Sequence, residues 1–149
     1  MVVRLQEADF EVGAELAALR QDDARIGAIV SFVGLVRALN DDTAVSEMTL
    51  EHYPGMTENA LEKIVLQAKA RWKIFDARVI HRFGRLRIGE QIVLVAVSGA
   101  HRGDTFAACE FIIDRLKTEA PFWKREVTPH GARWVEARAA DESAAERWQ

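Results

Sequence analysis

The sequence predicts an α+β domain with mostly antiparallel strands and about three main helices. About six short segments are continuously apolar or alternating, as is typical of strands, and three longer segments carry apolar residues at the helical period. Strands and helices do not alternate strictly, which argues against a doubly wound parallel sheet. A length of 149 residues without internal repeat or long linker is typical of one domain that spans residues 1–149.

The chain begins with a short helix and a buried strand. Asp9 is in a position to cap a helix over residues 11–20. Residues 26–36 are almost continuously apolar, which is typical of a buried strand, and Gly34 indicates a bend in it. The polar residues 37–43 that follow predict a loop.

A half-buried strand and a longer helix come next. Residues 45–52 alternate between apolar and polar side chains, as expected of a strand with one face in the core. Pro54 and Gly55 indicate a turn, after which Thr57 is expected to cap a helix that reaches about Trp72. The apolar residues of this helix recur at the helical period: Leu61, Ile64, Val65, Ala68 and Trp72.

Two further strands precede a third helix. The apolar residues 77–83 and 91–98 indicate strands that are separated by a glycine-containing turn. Asp104 is expected to cap a helix that ends at about Thr118. Five apolar residues of this helix are predicted to be buried: Phe106, Cys109, Ile112, Ile113 and Leu116.

The C-terminal part is predicted to form a hairpin. Residues 122–127 and 133–137 have the composition of strands, and residues 128–131 between them contain proline and glycine. Four turn residues are more than the two of an ideal tight hairpin. Asp141 is expected to start a last short helix.

Composition excludes several classes of protein. With 49% hydrophobic and 29% charged residues the chain is typical of a globular protein, and its net charge of −3 with interleaved signs argues against a nucleic-acid surface. The N-terminus lacks the apolar centre of a signal peptide, and no apolar run approaches ~18 residues, so no membrane span is predicted. A single cysteine excludes an internal disulfide and fits a reducing, cytoplasmic location.

The start of the third helix is a candidate anion site. Backbone N–H groups and the helix dipole attract anions at such a position, and His101 and Arg102 add side-chain donors. The alternative is that Asp104 already occupies those N–H groups as a cap. Arg37, just past a buried strand, could reach the same cavity, although such an arginine often marks only the end of a strand.

Two lysines at the end of the same helix are candidate catalytic groups. Lys117 precedes Pro121, and Lys124 follows it; on a strand, Lys124 shares a face with Phe122 and Glu126. Apolar rings and like charges tend to lower the pKa of a lysine, which suits acid–base chemistry and the stabilisation of anionic intermediates. The alternative is that both lysines are ordinary surface charges.

The remaining reactive residue types give no metal or nucleophile signal. The four histidines lie on separate segments without paired ligand spacing, so neither a metal site nor a cofactor is predicted. His52 and His81 are interpreted as hydrogen-bonded strand residues. Cys109 lies on an apolar helix face, where it is expected to be a small core residue and not a nucleophile.

Seven segments, in order along the chain, resemble the large, catalytic subunit of molybdopterin synthase (the MoaE family). They are Phe32-Val33-Gly34-Leu35-Val36-Arg37, Leu50-Glu51-His52-Tyr53-Pro54-Gly55-Met56-Thr57, His81-Arg82-Phe83-Gly84, Ser98-Gly99-Ala100-His101-Arg102, Leu116-Lys117-Thr118, Ala120-Pro121-Phe122-Trp123-Lys124-Arg125-Glu126 and Arg133-Trp134-Val135-Glu136-Ala137-Arg138. The resemblance implies the α/β-hammerhead architecture. It also implies a sulfur transferase of molybdenum cofactor biosynthesis that converts cyclic pyranopterin monophosphate to molybdopterin.

The resemblance further implies partners. The sulfur donor would be the thiocarboxylated C-terminal Gly-Gly tail of a small, ubiquitin-like, MoaD-like subunit that is threaded into this one. Two large subunits would form a central homodimer with one small subunit at each end, a heterotetramer. Neither nucleic acid nor a membrane is implied as a partner.

The resemblance assigns roles to residues that match by type. Lys117 and Lys124 would carry catalysis, and Arg138 would reach the site of the neighbouring subunit. Leu35 is a departure, because some relatives have a lysine there, and a substrate role for it is therefore in doubt. The implied substrate-binding set is Leu35, Val36, Arg37, His101, Arg102, Lys117, Lys124, Arg125, Glu126 and Arg138. Two other classes stay open: a non-catalytic anion-binding module, and a scaffold that receives a carrier tail.

Overall fold

The structure is a computed structural model that describes residues 1–40, 43–135, 143–144 and 146–148. The described residues form three helices and ten strands, which confirms the α+β class with mostly antiparallel pairing. In chain order they are β1 (Val2–Gln6), α1 (Val12–Arg20), β2 (Ala28–Leu35), β3 (Leu39–Asn40), β4 (Thr43–Ala44), β5 (Glu47–His52), α2 (Met56–Arg71), β6 (Ile74–Arg82), β7 (Gly84–Arg87), β8 (Gln91–Gly99), α3 (Arg102–Glu119), β9 (Phe122–Thr128) and β10 (Gly131–Val135). In these ranges no helix has the length and apolar character that a membrane crossing requires.

The first sheet has the strand order β1-β6-β8-β2, with β1 parallel to β6 and the other neighbours antiparallel. The strand β8 is buried along almost its whole length because helices cover both faces of the sheet. One face packs on α1 through Ile80 and Leu94. The other face packs on α2 and α3 through Val79 and Val95, and it contains the larger part of the core.

The second sheet, with the order β10-β9-β5-β7, is antiparallel throughout. Met48, Leu50 and Leu86 point from it into the same core, as the alternation of residues 45–52 predicts. The sequence did not predict β7, because its four residues include two exposed arginines and only Leu86 is fully buried. The prediction of a loop over residues 37–43 was wrong in part, since β3 pairs with β4.

All three predicted helix caps were wrong, because the side chains bind other backbone groups. Asp9 accepts a hydrogen bond from the N–H of Phe10 at 2.8 Å, and α1 begins after Glu11 without a side-chain cap. Thr57 lies within α2, where its hydroxyl donates to the carbonyl of Tyr53 at 3.0 Å. Asp104 lies within α3 and accepts from the N–H of Lys73 at 3.1 Å.

The predicted buried face of α3 was wrong at one residue. Phe106 is 60% exposed, whereas Cys109, Ile112 and Leu116 are buried. The buried stripe follows positions 105, 108, 109, 112 and 116, so position 106 falls outside it. The apolar residues predicted for α2 do face the core.

The C-terminal hairpin is tighter than predicted. Thr128 pairs with Gly131, so only Pro129 and His130 form the loop. Gly131 has a φ of 104°, which favours glycine, and the Thr128 hydroxyl donates to the carbonyl of Gly131 at 2.9 Å. The predicted end of the second strand at residue 137 and the helix start at Asp141 lie outside the described residues.

Candidate functional site

The two candidate lysines lie on either side of a short connection between α3 and β9. Lys117 is in the last turn of α3, and Lys124 is the third residue of β9. The helix ends where the N–H of Ala120 binds the carbonyl of Leu116 at 3.3 Å, and the N–H of Phe122 then binds the carbonyl of Ala120 at 2.8 Å. This tight connection fixes the position of Lys124 relative to Lys117.

Both lysines act on one buried histidine. His81, near the end of β6, is only 4% exposed, and its ring stacks on that of Phe122 with 3.9 Å between centroids and 19° between planes. Burial, followed by the positive charges of Lys117 and Lys124 and by His52, lowers the pKa of His81 to about 3. Lys117 and Lys124 are therefore both near enough to His81 to keep its imidazole neutral.

The pKa of His81 predicts an acid-sensitive fold. Because the unfolded histidine has a pKa near 6.5 and the folded one near 3, the unfolded state binds more protons between these values, and stability falls as the pH falls. Between pH 7 and pH 5 this group alone should remove roughly 2 kcal/mol of unfolding free energy. Urea unfolding at both pH values should show a smaller loss in His81→Phe. An equal loss in the two proteins would contradict the assignment.

A second histidine lies beside this cluster. The ring of His52 contacts those of Phe83 at 4.7 Å and Phe122 at 6.3 Å between centroids. The prediction that His52 and His81 are hydrogen-bonded strand residues is confirmed for His81, whose Nδ1 lies 2.8 Å from the carbonyl of Arg82. It was wrong for Nδ1 of His52, which is buried without a hydrogen-bond partner among the described residues, 3.9 Å from a carboxylate oxygen of Glu58.

The predicted faces of β9 are confirmed. Phe122, Lys124 and Glu126 lie opposite His52, Leu50 and Met48 of β5, and Glu126 is only 5% exposed. Arg125 lies on the other face and is exposed. Arg125 and Lys124 therefore lie on opposite faces of β9, although the resemblance implies a substrate-binding role for both.

Arg37 lies at the same end of the molecule as the lysines. It follows β2, whose last residue Leu35 pairs with Gln91 at the start of β8. His81 pairs with Val93, also near the start of β8, and α3 runs back along the sheet so that Lys117 lies at this end. The end of β2 and the end of α3 therefore lie at the same end of the first sheet.

Leu35 and Val36, which precede Arg37, differ in how accessible their side chains are to a ligand. Leu35 is 51% exposed, whereas the side chain of Val36 is buried in the core. The backbone N–H of Val36 binds the carbonyl of Glu90 at 3.0 Å, and its carbonyl accepts from the N–H of Gly89 at 2.8 Å. Val36 is therefore best placed to hold Arg37 in position.

His101 and Arg102 lie at the opposite end of α3. They are exposed, and the His101 side chain makes no capping hydrogen bond; Asp104 accepts from the N–H of Lys73 instead, so the alternative that Asp104 occupies the helix start was wrong. Arg102 and Lys117 are separated by fifteen residues, or about 22 Å along a helix axis. The expectation was that Arg37 and this helix start share one cavity. Within a single chain they lie too far apart, so for one chain the expectation was wrong.

Arg138 and Cys109 are two further residues on which the sequence made a prediction. Arg138 lies outside the described residues. Cys109 is buried, and burial raises the pKa of its thiol to about 12, which confirms the prediction of a core residue. Residue types alone did not single out His81 beside the lysines, and its only signal was its place in the segment His81-Arg82-Phe83-Gly84.

The described residues form an α+β domain in which two lysines lie near a buried, neutral histidine. A sequence model of the MoaE protein family matches residues 5–119. The chain is 63% identical over 146 residues to the molybdopterin synthase catalytic subunit of Ralstonia nicotianae. This match covers 98% of this chain and 83% of that protein. It is 52% identical to the subunit of the same name from Pseudomonas aeruginosa, over 100% and 99% of the two chains.

A solved structure shows the same fold. The molybdopterin biosynthesis MoaE protein from Burkholderia ambifaria is 55% identical and superposes with a TM-score of 0.84, over 99% of this chain and 97% of that one. The chain belongs to the MoaE family, that of the catalytic subunits of molybdopterin synthase. It is accordingly an enzyme subunit of molybdenum cofactor biosynthesis, as the resemblance implied.

Proposed function

We propose that this chain converts cyclic pyranopterin monophosphate to molybdopterin by inserting the two sulfurs of the dithiolene. The observation that supports this most directly is the pair of lysines around His81 at the end of α3. The sulfur donor is the thiocarboxylated Gly-Gly tail of a small ubiquitin-like subunit. The whole chain acts as one domain in the cytoplasm, where its single cysteine stays reduced.

The lysines divide the chemistry between them. Sulfur transfer from a thiocarboxylate passes through anionic intermediates, and two ammonium groups in one site stabilise that charge and exchange protons with it. Lys117 lies at the helix end and contacts the incoming carboxyl terminus of the carrier tail. Lys124 extends from β9 beside the buried Leu50 and acts on the pterin.

The phosphate-binding residues come from two subunits. Arg37 lies with the lysines, whereas His101 and Arg102 lie at the far end of α3, about 22 Å along the helix axis. In a homodimer with two-fold symmetry, the start of α3 from one subunit approaches the lysine cluster of the other. Arg138 reaches across in the same way, so that each of the two sites is completed by the neighbouring chain.

A turnover assay tests this function. The purified chain is mixed with thiocarboxylated small subunit and the pyranopterin, and molybdopterin is measured after oxidation to a fluorescent product. An anion-binding module would bind the phosphate compound without forming product. A scaffold would bind the carrier tail and leave its thiocarboxylate intact. Either result with active partners would contradict the proposal.

Arg102→Ala should raise the substrate KM at least as clearly as it lowers kcat, because the phosphate stays bound throughout the reaction. A charge-assisted contact is worth roughly 1.5–3 kcal/mol, so a loss of affinity of about tenfold or more is expected. Arg37→Ala should behave similarly. Titration with substrate measures both effects, and unchanged affinity would place the arginine outside the site.

Hybrid dimers show whether Arg102 acts across the interface. Arg102→Ala and Lys117→Ala chains are co-expressed with different tags, and dimers that carry both tags are purified. If each site combines two chains, such a dimer contains one intact site and should recover about half of the wild-type activity. If both residues serve the site of their own chain, each site carries one substitution, and the activity should be the mean of the two parent dimers, well below half of the wild-type activity.

A further inference from the structure

His81 occupies the point where the first sheet meets the lysines. Side chains alternate along β6, so Ile80 faces α1, while Val79 and His81 face the core that α2 and α3 cover. This direction turns the imidazole towards the end of α3 that carries Lys117. His81 is fully buried there although it is a polar residue.

The hydrogen bond of His81 fixes its tautomer. Nδ1 lies 2.8 Å from the carbonyl oxygen of Arg82, and a carbonyl can only accept, so the proton is on Nδ1. In a neutral ring Nε2 then carries a lone pair and acts as an acceptor. The stacked ring of Phe122, two residues before Lys124, holds the imidazole in its plane.

Two cations, Lys117 and Lys124, lie near this imidazole. Burial first, and then the charges of Lys117 and Lys124 and the His52 ring, disfavour a proton on His81, so the ring stays neutral beside two cations. A neutral acceptor can bind an ammonium group without cancelling its charge, as a carboxylate would.

We propose that His81 is a positioning residue for the lysine pair. Its ring supports Phe122, and its Nε2 is an uncharged acceptor for the ammonium groups of Lys117 and Lys124. The inference rests on the proposed function in one respect, since it takes these lysines to be the catalytic groups. It adds a residue of β6 that acts on the reaction only through the lysines.

The experiment compares three substitutions at position 81. His81→Phe keeps the stacked ring and removes both nitrogens, His81→Gln restores an acceptor near the position of Nε2, and His81→Asn keeps a donor for the Arg82 carbonyl but cannot reach as far. The matched control is Val79→Ala, which loosens the same face of the same strand. His81→Asn also serves as the acceptor-less variant if His81→Phe fails to fold.

The first readout is independent of turnover. Each protein is labelled with acetic anhydride across a pH series, and the midpoint of modification is measured for every lysine by peptide mass spectrometry, with the exposed Lys63 and Lys73 as internal standards. Loss of an acceptor destabilises the ammonium form, so the midpoint of Lys117, Lys124 or both should fall by roughly half a pH unit or more in His81→Phe and His81→Asn. His81→Gln should recover part of the shift, and Val79→Ala should show none.

The second readout is the separation of kcat from KM. In His81→Phe, kcat should fall roughly threefold to tenfold with little change in the KM for the pterin, and His81→Gln should recover part of it. Unchanged labelling midpoints at both lysines, or the same shifts in Val79→Ala, would overturn the proposal. Shifted midpoints together with active Lys117→Ala and Lys124→Ala variants would confirm the positioning role and reject the catalytic one, so the two failures are distinguishable.

Discussion

Alanine at Lys117 or at Lys124 should reduce product formation to background in a chain that stays folded. Both positive charges act on the buried His81, and the tight connection between α3 and β9 holds the two residues in one site. Positioned acid–base groups contribute roughly 10²- to 10⁴-fold to a rate, so a loss of this size is expected from each substitution. Single-turnover formation of molybdopterin measures it.

Stability and charge controls make this result specific. Both lysines are partly exposed, and a substitution at such a site changes the free energy of unfolding little, within roughly 0.5 kcal/mol. Lys63→Ala on the exposed side of α2 is the matched control and should keep full activity. Arginine keeps the charge but does not exchange protons, so Lys→Arg variants separate charge stabilisation from proton transfer.

The outcomes distinguish three roles of the lysines. Activity that is restored by arginine indicates that only the charge is needed, whereas inactive arginine variants indicate proton transfer. Near-normal turnover in both alanine variants would reject the catalytic assignment. A melting temperature that falls in parallel with activity would make the roles structural.

The fold was predictable where apolar residues are many and regular. The segments that form β8 and α2 carry continuous or periodic apolar residues. Such patterns indicate a strand or a helix whichever element it packs against. The helix caps failed for a different reason. Asp104 has the right residue type for a cap, but its carboxylate accepts a hydrogen bond from the N–H of Lys73, which is far away in sequence. Such a long-range contact leaves no signal in the local sequence.

The site shows the same limit more strongly. His101, Arg102 and Lys117 are near in sequence because one helix carries them, yet the length of that helix places them at opposite ends. Arg37 is far from Lys117 in sequence, but the pairing of β2 with β8 brings it to the lysine end. Distances between segments depend on this pairing, which residue types alone do not specify.

Removal of the last two glycines of the small subunit should abolish sulfur transfer completely, because the proposed mechanism takes both sulfurs from that tail. The chain itself offers no alternative carrier. Its one cysteine is Cys109, which is buried on α3, and burial raises the pKa of the thiol to about 12, so that almost no thiolate exists at neutral pH. A thiol in this state is a weak nucleophile, so we do not expect it to take sulfur from the thiocarboxylate.

The matching variant of this chain is Cys109→Ala, which should keep most of its activity and lose at most about 1 kcal/mol of stability from the vacated core volume. Single-turnover reactions with a ³⁵S-labelled thiocarboxylate follow the sulfur in both experiments. Label should pass from the carrier tail to the pterin without appearing on this chain, and none should move when the tail is truncated. Label on Cys109, or a folded but inactive Cys109→Ala protein, would show instead that sulfur passes through this subunit, and the buried thiol would then have to become exposed during the reaction.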